Sequence, residues 1–258
     1  MWDPTTYLSY ADERGRPFGD LLARVRAETP RAVVDLGCGP GTLTATLASR
    51  WPRARLTGVD SSPEMIARAR SLGAPATFVE ADVRSWHPDA DTDVVTCNAT
   101  LQWVHGHEAL LTRWIGELPA GAWLAFQVPG NFDAPSHQAL RRLAADPRWQ
   151  ASLANLLRSG RPVLDPAGYA TLLHASGCDV DAWETTYVHV LPVVDDDHPV
   201  LRWMEGTALR PVRAALDDET WAGFRAQLGG QLAAEYPVTG GRALFPFRRV
   251  FVVARAPA

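Results

Sequence analysis

Lysine is missing altogether: all 25 basic side chains are arginine, set against 29 acidic ones, for a formal net charge of -4. A chain of that sign has no basic field with which to hold a long polyanion, so nucleic acid is excluded as an expected partner. Long hydrophobic runs are also lacking. No apolar stretch approaches the roughly eighteen residues of a membrane span, so no membrane association is expected. The opening residues, Met1-Trp2-Asp3-Pro4, carry neither a basic cluster nor an apolar core of the secretory type, and the expectation is a cytoplasmic protein. Cysteine is scarce, and Cys38, Cys97 and Cys178 lie far apart in apolar segments, which excludes a disulfide framework and zinc spacing and predicts buried thiols. His105 and His107 have only Glu108 beside them at ligand spacing, so no metal is expected. With arginine as the sole cation, an arginine is no functional signal by itself.

What is present is an ordinary globular composition, 47% apolar over 258 residues, near the upper size for one hydrophobic core. From residue 31 onward, strand-like and helix-like segments alternate. Apolar, β-branched runs at 32–36, 55–60, 76–80, 92–98 and 123–129 read as strands, separated by helical patterns at 42–50, 62–72 and 106–118. Ser62 followed by Pro63 is a helix start. Such alternation predicts a parallel sheet covered on both faces. Further strands are read at 180–191 and 248–255. About fifty residues separate them, too many for a structureless loop in a compact domain, and helical patterns near 198–209 and 218–236 make that stretch a helical lid. The expected organisation is one domain: a flap at 1–30, a core at 31–130, and lid segments at 131–164 and 192–246.

The most informative stretch is Asp35-Leu36-Gly37-Cys38-Gly39-Pro40-Gly41, which ends the first strand and opens a helix. Closely spaced glycines at a strand-to-helix turn let a ligand lie against bare backbone, and an acid at the tip of the next strand, Asp60, can accept both hydroxyls of a ribose. A dinucleotide fingerprint would put its third glycine at position 42, which is Thr42, so the spacing departs from a pyrophosphate clamp.

That loop, together with Asp60-Ser61-Ser62-Pro63-Glu64-Met65 and Glu80-Ala81-Asp82-Val83, resembles the class I S-adenosylmethionine-dependent methyltransferases over about residues 30 to 128. The resemblance implies a Rossmann-like, mostly parallel sheet of seven strands, helices on both faces, and the lid inserted between the last two strands. It implies S-adenosylmethionine as co-substrate and no metal. Asp35, Gly37, Cys38, Gly39 and Gly41 would then pass the methionine portion, Asp60 and Ser61 hold the ribose, Asp82 take the adenine amino group, and Val83 meet the ring through its backbone. Met65 and Ile66 would flank the adenine. The end of the fourth strand would face the reacting methyl, with Asn98 on the cofactor and Gln102 and Trp103 bordering the methyl.

A narrower resemblance rests on Cys97 to Val104, Trp2-Asp3-Pro4, Tyr7-Leu8, Trp183-Glu184-Thr185-Thr186-Tyr187, Leu209-Arg210-Pro211 and the run Phe247 to Ala254. Over nearly the whole length the chain is similar to a family of small-acid O-methyltransferases that esterify one carboxylate of trans-aconitate. This implies a small polycarboxylate substrate. An ionised carboxylate needs no general base, so no catalytic residue is required. Its spectator carboxylates need cationic forks and donors, for which Arg210, Arg249, Tyr187 and His189 are the candidates. Trp2, Tyr7, Tyr10, Arg14 and Arg16 resemble a flap that would close the cofactor cleft, where Arg14 or Arg16 is a candidate partner for a carboxylate. Two other readings stay open: a methyltransferase for another small-metabolite carboxylate, hydroxyl or amine, and an S-adenosyl ligand-binding interaction module without turnover.

Overall fold

The computed structural model describes residues 11–153, 156 and 162–258, with side chains of the first helix described from Gly15. Trp2, Tyr7, Tyr10 and the Arg14 side chain therefore lie outside the described residues; Arg16 is exposed. The chain divides into two compact units. One comprises Asp12–Pro129, Val163–Thr185 and Arg249–Ala258; described residues of the other lie in Gly130–Pro162 and Thr186–Arg248.

The first unit opens with α1 (Ala11–Leu22) and then alternates strand and helix: β1 (Ala32–Leu36), α2 (Thr42–Arg50), β2 (Arg55–Asp60), α3 (Pro63–Ser71), β3 (Thr77–Glu80) and β4 (Thr92–Asn98). A single 3-10 turn (Leu101–Trp103) leads to α4 (His107–Glu117) and β5 (Trp123–Pro129). β1 is buried at every position, which requires cover on both faces of the sheet and explains why its sequence is a continuous apolar run instead of an alternating one. β2, β1, β4 and β5 match the expected bounds to the residue, and β1–β2, β1–β4, β2–β3 and β4–β5 all pair in parallel. The expected cap of α3 is present: the Ser62 hydroxyl accepts from Met65 N at 3.3 Å, with Pro63 in the first turn.

The later elements are α5 (Pro135–Ala144), α6 (Pro147–Leu153), α7 (Pro166–Ala175), β6 (Asp179–Pro192), α8 (Pro199–Glu205), α9 (Arg210–Ala215), α10 (Asp218–Glu235), β7 (Val238–Thr239) and β8 (Arg242–Arg255). The sheet runs β3-β2-β1-β4-β5-β8-β6, with β5 and β8 antiparallel and β7 paired to β8. The class I arrangement expected from the resemblance is thus present, with two differences. An eighth, two-residue strand is added, and β8 begins at Arg242, six residues before the expected 248. The cause of both is the turn at Gly240 and Gly241, each with positive φ (58° and 73°), which folds Val238-Thr239 back on Arg242-Ala243 as a tight hairpin. The helical reading at 198–209 is met by one short helix, α8, which ends at Glu205; the chain turns between Gly206 and Leu209, and a separate short helix, α9, opens at Arg210 with Pro211 in its first turn.

Within the second unit, Leu140, Trp203, Phe224, Leu228, Phe245 and Phe247 share one buried cluster, supplied by α5, α8, α10 and β8. Asp217 caps α10 by accepting from Thr220 N at 2.8 Å. No described helix is long and apolar enough to cross a membrane.

Candidate active site

The residues singled out for the cofactor all lie in the first unit, at the carboxyl ends of β1 to β4. Gly37, Gly39 and Gly41 take φ values of 76°, 55° and 78°. A side chain at Gly37 would come within 2.0 Å of the Thr100 hydroxyl, and one at Gly41 within 2.8 Å of the Phe78 ring, so these two glycines serve close packing. Gly39 is different: nothing lies within 4 Å of where its Cβ would be. It is the glycine whose bareness faces open space, as a backbone-hugging ligand requires.

Asp60 ties this loop to the next strand. Its carboxylate accepts from Gly39 N and from Ser62 N, each at 2.9 Å. A carboxylate has about four lone-pair directions, so two remain for ligand hydroxyls. Ser61 is exposed beside it, and Met65 and Ile66 are buried beneath. Cys38 is buried with Ile66, Ala69 and Phe78, and its thiol is pushed up by burial and by the negative charges of Asp35 and Asp60. All three cysteines are buried and unbridged.

Asp35 lies beneath the loop. Only 3% exposed, it accepts from the Thr44 hydroxyl at 2.6 Å and the Thr96 hydroxyl at 2.9 Å. Burial raises its pKa from the ordinary 3.8 to about 6, against the opposing pull of the two hydroxyls. Asp82 is half-buried and grips the guanidinium of Arg84, which holds its carboxyl below the usual range; Val83 is buried next to it.

The end of β4 is the most constrained part of the site. Ala99 has φ of 54°, a left-handed conformation that costs a residue with a Cβ roughly 1 kcal/mol. It is held from three directions: its N–H donates to Gln127 O at 3.0 Å, its carbonyl accepts from the Gln102 amide at 2.6 Å, and Thr100 Oγ1 lies 3.4 Å from Gly37 O. Gln102 is thus turned inward at 6% exposure, bracing the turn, while Trp103 stands 56% exposed. Gln127, which sequence reasoning missed, is wholly buried in β5 opposite Asn98; its amide donates to Asn98 Oδ1 at 2.7 Å and accepts from Arg249 Nη1 at 3.2 Å. The signal was there: a single polar side chain inside the apolar run of β5.

His107 is buried, with Nδ1 near Val104 O and Nε2 2.7 Å from the Tyr169 hydroxyl. Because a carbonyl only accepts, Nδ1 carries a proton toward Val104 O, and Nε2 pairs with the tyrosine hydroxyl. Among the described residues no group of histidine, cysteine and carboxylate side chains is arranged to hold a metal.

Of the substrate-side candidates, Arg249 belongs to the first unit and is 4% exposed, while its neighbour Arg248 turns the other way and donates to Gly130 O. In the second unit Tyr187 and His189 share one buried face of β6, and His189 stacks on Trp203 at 4.8 Å between ring centroids. Arg210 is half-buried at the start of α9. On the opposite face of β6 and β8, this unit has a cleft of about 1050 Å³ lined in part by Asn131, Thr186, Val190, Arg242 and Arg248.

The model of the family described as methyltransferase domain matches residues 33–118. A solved structure, the YcgJ protein from Bacillus subtilis, superposes with a TM-score of 0.60 at 12% identity, covering 94% of this chain and 99% of that one. Phosphoethanolamine N-methyltransferase 2 of Haemonchus contortus, in complex with S-adenosylhomocysteine and phosphomonomethylethanolamine, gives a TM-score of 0.56 at 15% identity over 94% of this chain and 53% of its own. At such identities these likenesses establish the fold alone. Three relatives named trans-aconitate 2-methyltransferase are far nearer in sequence. That of Mycobacterium sp. (strain KMS) is 61% identical over 99% of both chains. The Streptomyces coelicolor protein is 51% identical over 99% of this chain and 87% of its own, and the Mycobacterium tuberculosis protein 50% identical over 98% and 96%. Half or more of its residues being shared from end to end with these enzymes, the chain belongs to the trans-aconitate 2-methyltransferase family.

Proposed function

We infer that this chain transfers a methyl group from S-adenosylmethionine to one carboxylate of trans-aconitate, giving the monomethyl ester and S-adenosylhomocysteine. The observation that carries the reading is end-to-end identity of 50 to 61% with enzymes of that name, joined to a glycine loop whose Gly39 faces open space beside Asp60. The co-substrate supplies a methyl on a positively charged sulfur. An acid oxygen attacks the methyl carbon, the sulfur keeps the electron pair, and no proton moves.

The residues fit that ligand. Gly39 leaves room for it, Asp60 has lone pairs to spare for ribose hydroxyls, and Asp35 with Asp60 makes the surroundings negative, as a cationic sulfur favours. Gly37, Gly41 and Cys38 shape the loop; Ser61, Met65, Asp82 and Val83 serve the nucleoside end. On this reading catalysis is a matter of alignment, which can supply about 7–11 kcal/mol, and of excluding water from the attacking oxygen. Trp103 and Gln102 border the methyl. A spectator carboxylate needs a cationic partner, because buried anions without one are too costly and arginine offers a planar fork; Arg249 is the candidate in the first unit, and Arg210, with Tyr187 and His189 as donors, in the second.

The test is incubation with methyl-labelled S-adenosylmethionine and a panel of tricarboxylates, amines and phenols. Base-labile label on trans-aconitate is the expected product. Its absence, with label on another acceptor, would refute the substrate; tight S-adenosylhomocysteine binding with no product at all would favour the interaction-module reading.

A further inference from the structure

Arg249, Gln127 and Asn98 form a chain of hydrogen bonds across β8, β5 and β4 whose direction is fixed at one end. Guanidinium only donates. Arg249 Nη1, 3.2 Å from Gln127, therefore faces the amide oxygen, which sends the Gln127 NH₂ toward Asn98 at 2.7 Å. Asn98 must answer with Oδ1. Its own NH₂ is then on the side away from the Gln127 amide, with no protein partner among the described residues. Gln127 is 0% exposed and Arg249 4%, so water does not compete for these bonds. The Gln127 carbonyl also accepts from Ala99 N, fixing the backbone that follows Asn98.

We propose that Gln127 is a positioning residue: relayed from Arg249, it holds the Asn98 amide with its donor face toward the acceptor carboxylate at the end of β4. This goes deeper into the methyl-transfer reading above and rests on it. The chemistry gives the orientation its importance. A carboxylate only accepts, so an Asn98 turned the other way would present an oxygen to an anion and repel it.

Gln127→Glu separates this from a packing role. A glutamate can still accept from Arg249 but has nothing to donate, so Asn98 must swing its NH₂ inward and show Oδ1 to the acid. The readouts are kcat/KM for trans-aconitate, S-adenosylhomocysteine affinity by calorimetry, and the melting midpoint, each in the wild-type and Asn98→Ala backgrounds. We expect Gln127→Glu to lower kcat/KM at least tenfold in the wild-type background and less than twofold in the Asn98→Ala background, and to change affinity for S-adenosylhomocysteine by less than threefold within each background. Equal losses in both backgrounds, or no loss in either, would overturn the proposal. Should Gln127→Glu not fold, Gln127→Met in the same two backgrounds decides by the same non-additivity. A wild-type chain that binds S-adenosylhomocysteine yet makes no ester would instead remove the reading beneath the proposal.

Discussion

Replacing Asp35 by asparagine should make the ligand-free protein more stable at neutral pH, and the size of the gain can be worked from the structure. The carboxyl is 3% exposed, and burial lifts its pKa from 3.8 to about 6. A raised carboxylate pKa means that the folded state holds its proton where the unfolded state has released it. Its contribution is therefore most favourable below pH 3.8, declines as pH climbs between the two values, and is fully lost above pH 6. The rise from 3.8 to about 6 makes the ionised form costly by about 3 kcal/mol at pH 7, at roughly 1.4 kcal/mol per tenfold in proton affinity. Asparagine resembles the protonated acid and escapes this, although one of the Thr44 and Thr96 hydroxyls must turn to accept from its NH₂. Allowing for that turn, Asp35→Asn should gain about 1–3 kcal/mol at pH 7, and the gap to the parent should widen by about 2 kcal/mol between pH 4 and pH 7 and then level off. Urea melts of both proteins across that range measure it. A gap that stays constant with pH, or an asparagine variant that is less stable at pH 8, would show that Asp35 is not the strained acid described.

Gly39→Ala should fold with a loss near 1 kcal/mol, the cost of a side chain at positive φ, yet bind S-adenosylhomocysteine at least tenfold more weakly by calorimetry. Gly37→Ala should instead lose about 2–4 kcal/mol, since its Cβ runs into Thr100, and thermal melts of the pair would expose any error in assigning one glycine to ligand and the other to packing. Ala99→Gly should stabilise the protein by about 0.5–1 kcal/mol in urea titrations while keeping ester formation within twofold; a loss of stability would mean that φ of 54° carries no strain. His107→Phe removes one of the partners of the buried Tyr169 hydroxyl and should cost about 0.5–1.5 kcal/mol, with turnover per folded molecule unchanged. A large drop in turnover at full stability would give His107 a chemical role.

The central strands were legible to the residue because each is short and centred on buried apolar residues, with β1 and β5 stopped by Gly37 and Gly130 and β4 by the polar Asn98, and buried parallel strands admit little else. β8 was read short because its first half alternates faces, with Arg242, Leu244 and Pro246 exposed, so it lacks the continuous apolar signature and carries a proline besides. The loop acids Asp35 and Asp60 were visible in sequence, but their partners were not: no spacing rule brings Thr96 to Asp35 or Gly39 to Asp60 before the strands are laid side by side. Gln127 was missed for the same reason, since its meaning lies in standing opposite Asn98 across a ladder. Arg249 was preferred to Arg248 on the run it shares with the resembling family; that it is the buried one of the two is set by the parity of β8, which pairing with β5 fixes.

One carboxylate, that of Asp60, pins the turn after β1 and the cap of α3 together. If a nucleoside sugar takes hold of the same two oxygens, as proposed, then sugar selectivity and the contour of the cradle are a single property. No exchange at position 60 can retune one and spare the other, and altered cofactor preference has to be sought around Gly39, where the wall is still bare.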